Sequence, residues 1–285
     1  TQHKFPHPEA LDFALVRWSR TGDDALRKLV LRTLRQMQQG QIHDQVEGGF
    51  FRYASNPDWS DPHYEKVLDS NAQRLRAYLE ANQALGEASF AETAGGIIRW
   101  MLEVLLDPAT GAFRGSQDAD PAYSRLDTLA ARRRGPAPAS DPTIFANWNA
   151  MAVSSLLKAA VVLGRPELKD QALRTLDFLL DELLDARRGM HHYWDGTYHL
   201  PGLLSDQANT LRALVDAAQF IGGGRFLERG EQLAGLAVAN LRSPDGGFFD
   251  LAHDPGARGG LRKRKRSILE NAVMAEALLR LSHFT

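Results

Sequence analysis

The sequence predicts an all-α fold, an α/α toroid of helical hairpins, and three observations carry that reading. A glycine-aromatic element recurs as Gly48-Gly49-Phe50-Phe51, Gly111-Ala112-Phe113 and Gly246-Gly247-Phe248-Phe249, with a degraded copy at Gly189-Met190-His191-His192-Tyr193. An amide followed by alanine comes after each copy, as Asn71-Ala72, Asn149-Ala150, Gln207-Ala208 and Asn271-Ala272. Charged amphipathic segments alternate with nearly apolar ones, which describes outer helices alternating with buried inner ones. Self-similarity of this kind is the mark of a repeat architecture.

Taken in order, amphipathic helices are expected over 23–39, 88–106, 166–186 and 225–241. In the first, Leu26, Leu29, Val30, Leu34 and Met37 fall on one face at helical spacing. The apolar helices begin near the amide positions, and the third continues as Met151-Ala152-Val153-Ser154-Ser155-Leu156-Leu157, apolar almost all round. Inner-to-outer connections are tight: Thr21-Gly22-Asp23, Gly164-Arg165-Pro166 and Gly222-Gly223-Gly224. Outer-to-inner connections are long, over about 40–61, 108–141, 187–203 and 242–266. Long loops in compact domains are usually functional, and these gather where the inner helices start, at ends that carry partial positive charge and free N–H groups. The count is five inner and four outer helices, one fewer inner and two fewer outer than a closed six-hairpin toroid, within a single domain over 1–285.

Composition narrows the function. With Lys+Arg 34 against Asp+Glu 35 the net charge is -1, and 44% of residues are hydrophobic, which suits a globular protein and argues against a nucleic-acid coat or a membrane-surface protein. No cysteine is present, so disulfides, thiolate metal sites and thiol redox chemistry are excluded within these residues. No apolar run approaches the ~18 residues of a spanning helix, and the start Thr1-Gln2-His3-Lys4-Phe5-Pro6 does not read as a secretory leader. A cytoplasmic protein without cofactor or bound metal is expected.

The densest chemistry lies in Ile42-His43-Asp44-Gln45-Val46-Glu47-Gly48-Gly49-Phe50-Phe51-Arg52-Tyr53, with Trp59 and Asp61-Pro62-His63-Tyr64-Glu65-Lys66 after it. Titratable groups beside aromatic platforms suit acid/base work on a sugar ring. Equally, Asp61-Pro62 reads as an N-cap with proline at N1, leaving His63, Glu65 and Lys66 as first-turn residues. A second stretch, Gln117-Asp118-Ala119-Asp120-Pro121, offers two carboxylates that fit either an acid/base role or an Asx turn before Pro121. Asp141-Pro142 reads as the cap of the third inner helix, which puts Asn147 and Asn149 two turns inside it. Ser205 and the pair Ser267 with Glu270 read as caps of later helices. The amide column reads more readily as inter-helix hydrogen bonding than as ligand contact. The runs Arg262-Lys263-Arg264-Lys265-Arg266 and Arg132-Arg133-Arg134 have no stacking aromatics beside them, and solvated loops fit them better than a nucleic-acid site. His191-His192 beside Trp194-Asp195 is a weak metal signal, since adjacent histidines rarely share one ion.

At these residues the chain resembles the spermatogenesis-associated, thioredoxin-domain-containing proteins and their bacterial YyaL-like relatives. The resemblance rests on Lys4-Phe5-Pro6, on Gly40 to Tyr53, on Pro62 to Ala72 and on Gln117 to Asp120. It continues through Asp141 to Ala150, Asp206, Gly246 to Phe249 and the Glu270-Asn271 helix. It implies a six-hairpin glycosidase-like toroid, similar to sugar epimerases and glycoside hydrolases. Family members carry a thioredoxin-like domain that is not within these residues, Pro142 stands where lysine is usual, and the insertion between Asp120 and Asp141 is short.

The expectation is a carbohydrate-active toroid that hydrolyses a glycosidic bond or epimerises a sugar. His63 or Glu65 would be set against Asp118 or Asp120 as the catalytic pair, with His43, Asp44, Arg52, Tyr53, Trp148, Asn149 and Asp206 binding substrate. The rival expectation is a non-catalytic binding or scaffold domain working beside a thioredoxin-like protein. A small carbohydrate is the expected ligand, with no nucleic acid and no membrane.

Overall fold

The structure is a computed structural model that describes residues 3–285; Thr1 and Gln2, the first residues of the start read above, lie outside the described residues. Among the described residues nine helices of 13 residues or more follow the expected alternation: α1 (Pro8–Thr21), α2 (Asp24–Gln39), α3 (Leu68–Leu85), α4 (Ala88–Trp100), α7 (Ala146–Val162), α8 (Glu167–Glu182), α9 (Leu204–Ile221), α10 (Gly224–Leu241) and α11 (Ile268–Leu281). Between α4 and α7 lie two single-turn helices, α5 (Pro121–Ser124) and α6 (Leu129–Arg132). No helix among the described residues is long and apolar enough to cross a membrane.

The chain divides into two compact units, one built from 1–106, 113–142 and 162–165, the other from 107–112, 143–161 and 166–285. In the first, α1 and α2 pack together, α3 packs on α1, and α4 lies along α3. Its core holds Leu34, Met37, Leu75, Tyr78, Phe90, Ile97 and Trp100. In the second, α9 is the centre, with α8, α10 and α11 against it, and it buries residues on every side, Asp206 and Asp216 included.

Each glycine-aromatic element closes a small antiparallel turn. In the first copy His43 bridges Phe50, with Phe51 N–H donating to the Ile42 carbonyl at 2.9 Å. In the last, Arg242 bridges Phe248, and Phe249 N–H donates to Leu241 at 2.8 Å. The glycines take left-handed backbone, with φ of 88° and 78° at Gly48 and Gly49, and 93° and 69° at Gly246 and Gly247. The amide column locks these turns. Asn71 accepts from Phe50 N–H at 2.7 Å and donates to Phe50 carbonyl at 3.0 Å. Gln207 holds Met190 in the same way at 2.8 and 3.0 Å, and Asn271 holds Phe248 at 2.7 and 2.9 Å. Each amide side chain stands in for a strand edge, satisfying one buried N–H and one buried C=O.

The caps read from sequence need correction. Helix α3 starts at Leu68, not near Pro62, and Asp61 sits in a loop with a left-handed φ of 52°. Helix α7 starts at Ala146, so Asn147 and Asn149 lie in its first turn rather than two turns inside. The cause is pairing between loops. Three short strands, β1 (Lys66–Val67), β2 (Ser116–Gln117) and β3 (Ser140–Asp141), form a sheet in the first unit, capturing the residues assigned to helix starts. In the second unit β4 (Ile144–Phe145) pairs with β6 (Gly189–Trp194), which also pairs with β5 (Leu184–Asp185) and β7 (Tyr198–Pro201). These sheets join separate long loops, beyond the short hairpins that the repeat suggests. Ser205 lies inside α9, whose N-cap is Leu203, and Ser267 stands at the N-cap of α11 without a side-chain cap bond.

Candidate functional site

In the first unit the Gly48-Gly49 turn carries a buried charge quartet. Asp44 Oδ2 accepts from Lys66 Nζ and from Arg132 Nη1, both at 2.7 Å. Glu47 lies 3.6 Å from Lys66 and 3.2 Å from Arg132, and its other oxygen accepts from the Tyr123 hydroxyl. Burial alone would raise the Asp44 carboxyl, but the two cations pull it down to about 2. The Lys66 ammonium is lowered by burial against the pull of Asp44 and Glu47. Arg132 also donates to Ser124 carbonyl at 2.8 Å and Leu126 carbonyl at 3.2 Å, so it ties the 121–132 segment onto Asp44.

Of the residues expected to act here, His63, Glu65, Arg52 and Tyr53 come together. Arg52 Nη1 donates to Glu65 Oε2 at 2.8 Å, His63 Nδ1 lies 3.8 Å from the same oxygen, and the His63 ring stacks on Tyr53 at 5.0 Å. Asp118 is exposed, and Asp120 caps α5 by accepting from Tyr123 N–H at 2.9 Å. No hydrogen bond or ion pair among the described residues joins either to His63 or Glu65. His43 stacks on Phe50 at 4.6 Å with Nδ1 on Gln38 carbonyl, and burial lowers its pKa. Asp69, at the start of α3, is raised by burial. A cavity of about 610 Å³ opens beside this group, with His43, Asp61, Tyr64 and Arg125 among its walls.

The second unit holds a different arrangement. Asp206, fully buried in the first turn of α9, meets His192 Nδ1 with both carboxylate oxygens at 3.1 Å and accepts from Asn147 N–H at 3.2 Å. Burial raises the Asp206 carboxyl against the pull of His192. Burial would lower His192, but the bond to Asp206 wins and raises it. With Nδ1 committed to the carboxylate, Nε2 is left for chemistry. The aromatic ring of Phe145 lies 4.3 Å from Trp148 and 5.6 Å from His192. Glu270, in the first turn of α11, is half-buried and its Oε2 has no hydrogen-bond partner. Burial and then the nearby Asp250 raise it, with a smaller push from Asp206. Asn149 is fully buried and gives its amide to Phe145 carbonyl at 3.0 Å.

His192 and Glu270 were not among the expected site residues, yet the repeat carries a signal for Glu270. Asp206 and Glu270 each stand one position before the amide column, in successive inner helices. His192 lies within the degraded glycine-aromatic copy, on strand β6, which pairs with β4.

Solved structures with the same fold include a sugar isomerase, a sugar epimerase and a glycoside hydrolase. The chain superposes on D-mannose isomerase with a TM-score of 0.77 at 12% identity, covering 98% of this chain and 70% of that one. For cellobiose 2-epimerase from Bacillus thermoamylovorans the TM-score is 0.72 at 11% identity, with 97% and 74% covered. For unsaturated glucuronyl hydrolase from a Bacillus species it is 0.73 at 15%, with 95% and 72% covered. The chain therefore has the α/α-toroid fold. By sequence it is similar to spermatogenesis-associated protein 20 of Mus musculus and of Homo sapiens, 36% identical over 121 residues, which are 41% of this chain. The chain spans 15% of the length of these curated relatives, and the family resemblance read from its motifs is thus a similarity of sequence too. No family model matches the chain.

Proposed function

We propose that this chain is a carbohydrate-active protein that moves a proton at a sugar carbon beside the carbonyl, the step shared by epimerisation and aldose–ketose isomerisation. The observation that carries the reading is the His192–Asp206 pair, with the raised carboxyl of Glu270 in the same unit. His192 Nε2 takes the proton from the carbon, and the electron pair moves onto the carbonyl oxygen to give an enediolate. Glu270, whose carboxyl is raised by burial, is the group that returns a proton, to the opposite face in epimerisation, or to the neighbouring carbon in isomerisation as the hydroxyl proton passes to the former carbonyl oxygen. Phe145 and Trp148 give the apolar platform a sugar ring needs. Hydrolysis fits less well, because it requires two carboxyl groups flanking the bond and Asp206 is fully buried. Glu65 is held by Arg52, so neither His63 nor Glu65, and neither Asp118 nor Asp120, is given a part in proton transfer.

A panel of aldoses and disaccharides, mannose and cellobiose included, incubated in D₂O and followed by NMR tests the proposal. Deuterium is expected at the carbon next to the carbonyl, with kcat lowered about 10²–10⁴-fold in His192→Asn and Glu270→Gln. The pairing of Asp44, Glu47 and Glu65 with cations in the first unit favours the second reading, a binding domain beside a thioredoxin-like protein. Absence of exchange across the panel would decide for it.

A further inference from the structure

In the first unit the strap between β2 and β3 has almost no apolar anchor. Of the described residues 121–137 only Arg132 is buried, and Leu126 and Leu129 are 38% and 39% exposed. So little buried apolar surface gives the strap no hydrophobic reason to stay in place. What holds it is polar. Arg132 donates to Asp44 at 2.7 Å and to the Ser124 and Leu126 carbonyls, and the Tyr123 hydroxyl donates to Glu47. Arg125 Nε donates to the Tyr64 hydroxyl at 3.3 Å. A buried ion pair stabilises no better than apolar packing of the same volume. The pairing of Arg132 with Asp44 therefore fixes where the strap stands.

Held there, the strap forms one wall of the cavity of about 610 Å³, and residues between Gln41 and Tyr64 form the other. That volume lies within the range of small-molecule sites. Of its charged groups, Asp44 and Arg132 satisfy each other. The carboxylates of Asp61, on the loop wall, and of Asp127, on the strap wall, accept no hydrogen bond and make no ion pair among the described residues. Asp61 is kept at its wall by left-handed backbone with a φ of 52°, its N–H donating to Gln41 Oε1 at 3.0 Å and its carbonyl accepting from Ser55 N–H at 2.9 Å. The remaining cation of the walls is Arg125, 5.5 Å from the centre of the Tyr64 ring. An anionic ligand would meet two carboxylates without partners, and a cationic one would meet Arg125. A neutral ligand rich in hydroxyls meets neither conflict. Its O–H groups donate to the carboxylates in charge-assisted bonds, and its oxygens accept from Arg125.

We propose that this cavity binds a neutral sugar of one or two rings, with Asp61 and Asp127 as the hydroxyl acceptors and the strap, fixed by Arg132, as one wall. The site lies wholly in the first unit and does not rest on the proton transfer assigned to the second. Hydrogen exchange of the full chain, followed by mass spectrometry as mannose or cellobiose is titrated, is the test. Saturable slowing of amide exchange, about threefold or more, is expected in peptides covering 56–64 and 121–132. In Asp61→Asn/Asp127→Ala the sugar concentration that gives half of this protection should rise about tenfold or more, because two charge-assisted bonds are weakened or lost. The double variant keeps the wild-type melting temperature, since both side chains are exposed and asparagine accepts left-handed backbone. In His192→Asn the protection is unchanged. Protection by neither sugar, protection that survives the double variant, or protection lost in His192→Asn overturns the proposal. Protection by glucosamine or glucuronate in place of the neutral sugars overturns it in favour of a charged ligand.

Discussion

At the scale of single residues, the two units use buried carboxylates in opposite ways. Asp44 is ionised and held by Lys66 and Arg132 at 2.7 Å each. Removing the carboxylate strands two cations in a site 2% exposed, and breaking a buried pair from one side costs about 3–5 kcal/mol. Asp44→Asn should therefore lower the urea midpoint by that equivalent at pH 7, far more than Asp24→Asn on the surface. Because the Asp44 carboxyl is depressed to about 2, its stabilisation is present above the ordinary carboxylate pKa and lost as pH falls toward 2. Asp206 and His192 are both raised. Each binds its proton more tightly in the folded chain: the Asp206 contribution is full below the ordinary carboxyl value of about 3.9 and fades above it, and that of His192 is full below about 6.5 and fades as pH rises beyond it. Melting temperatures measured from pH 5.5 to 8.5 should show a downward slope in the wild type. In Asp206→Asn, where His192 loses its partner, that slope should flatten; an unchanged slope would remove the pair as its origin.

At the scale of elements, the repeated unit is a glycine turn clamped by an amide from the next inner helix. What stands beside each glycine sets how replaceable it is: Gly189 and Gly247 face the clamping amides Gln207 and Asn271, and Gly48 faces the Gly96 backbone. Gly22, with a φ of 71°, has nothing within 4 Å of where a Cβ would stand, so Gly22→Ala incurs only the left-handed backbone cost, about 1–2 kcal/mol. Gly48 has a φ of 88°, and its Cβ would be driven into the backbone carbonyl of Gly96. Gly48→Ala should be destabilising by several kcal/mol more, with calorimetry as the check. Asn271→Ala leaves Phe248 N–H and C=O unpaired in a part-buried turn, a cost of about 1–3 kcal/mol for each group that water cannot reach. Serine, aspartate and proline before an apolar run usually mark a helix start. Here Asp61-Pro62 and Asp141-Pro142 do not, because residues just after them are claimed by strands and loop pairing from distant parts of the chain.

For the whole molecule, the proposed activity has a readout that needs no turnover. A sugar bound to the native state at 100 times its Kd stabilises by about 2.7 kcal/mol through mass action. For a chain of this size that is a rise of several degrees in melting temperature, at about 2–4 °C per kcal/mol. A thermal-shift panel of sugars should therefore show a response in the wild type, and a smaller one after Trp148→Ala if that ring is a sugar platform. A flat panel would count against the carbohydrate reading.

The sequence by itself determined the repeat. Glycine-aromatic turns, amide-alanine starts and alternating apolar and charged helices are local patterns with a fixed period, and the nine long helices follow from them. It also placed Asp206 among the candidate residues and put weight on the loops before the inner helices. Only the tertiary structure decided which carboxylates are spent on cations and which stay available. Glu65 and Arg52 lie 13 residues apart, Asp44 and Arg132 lie 88 apart, and nothing in the local pattern pairs them. In the sequence His191-His192 beside Asp195 is only a weak metal signal, because adjacent histidines rarely share one ion. The actual partner of His192 comes from α9. Such pairings are decided by packing, because which group stands opposite a side chain depends on the fold and not on the residue alone.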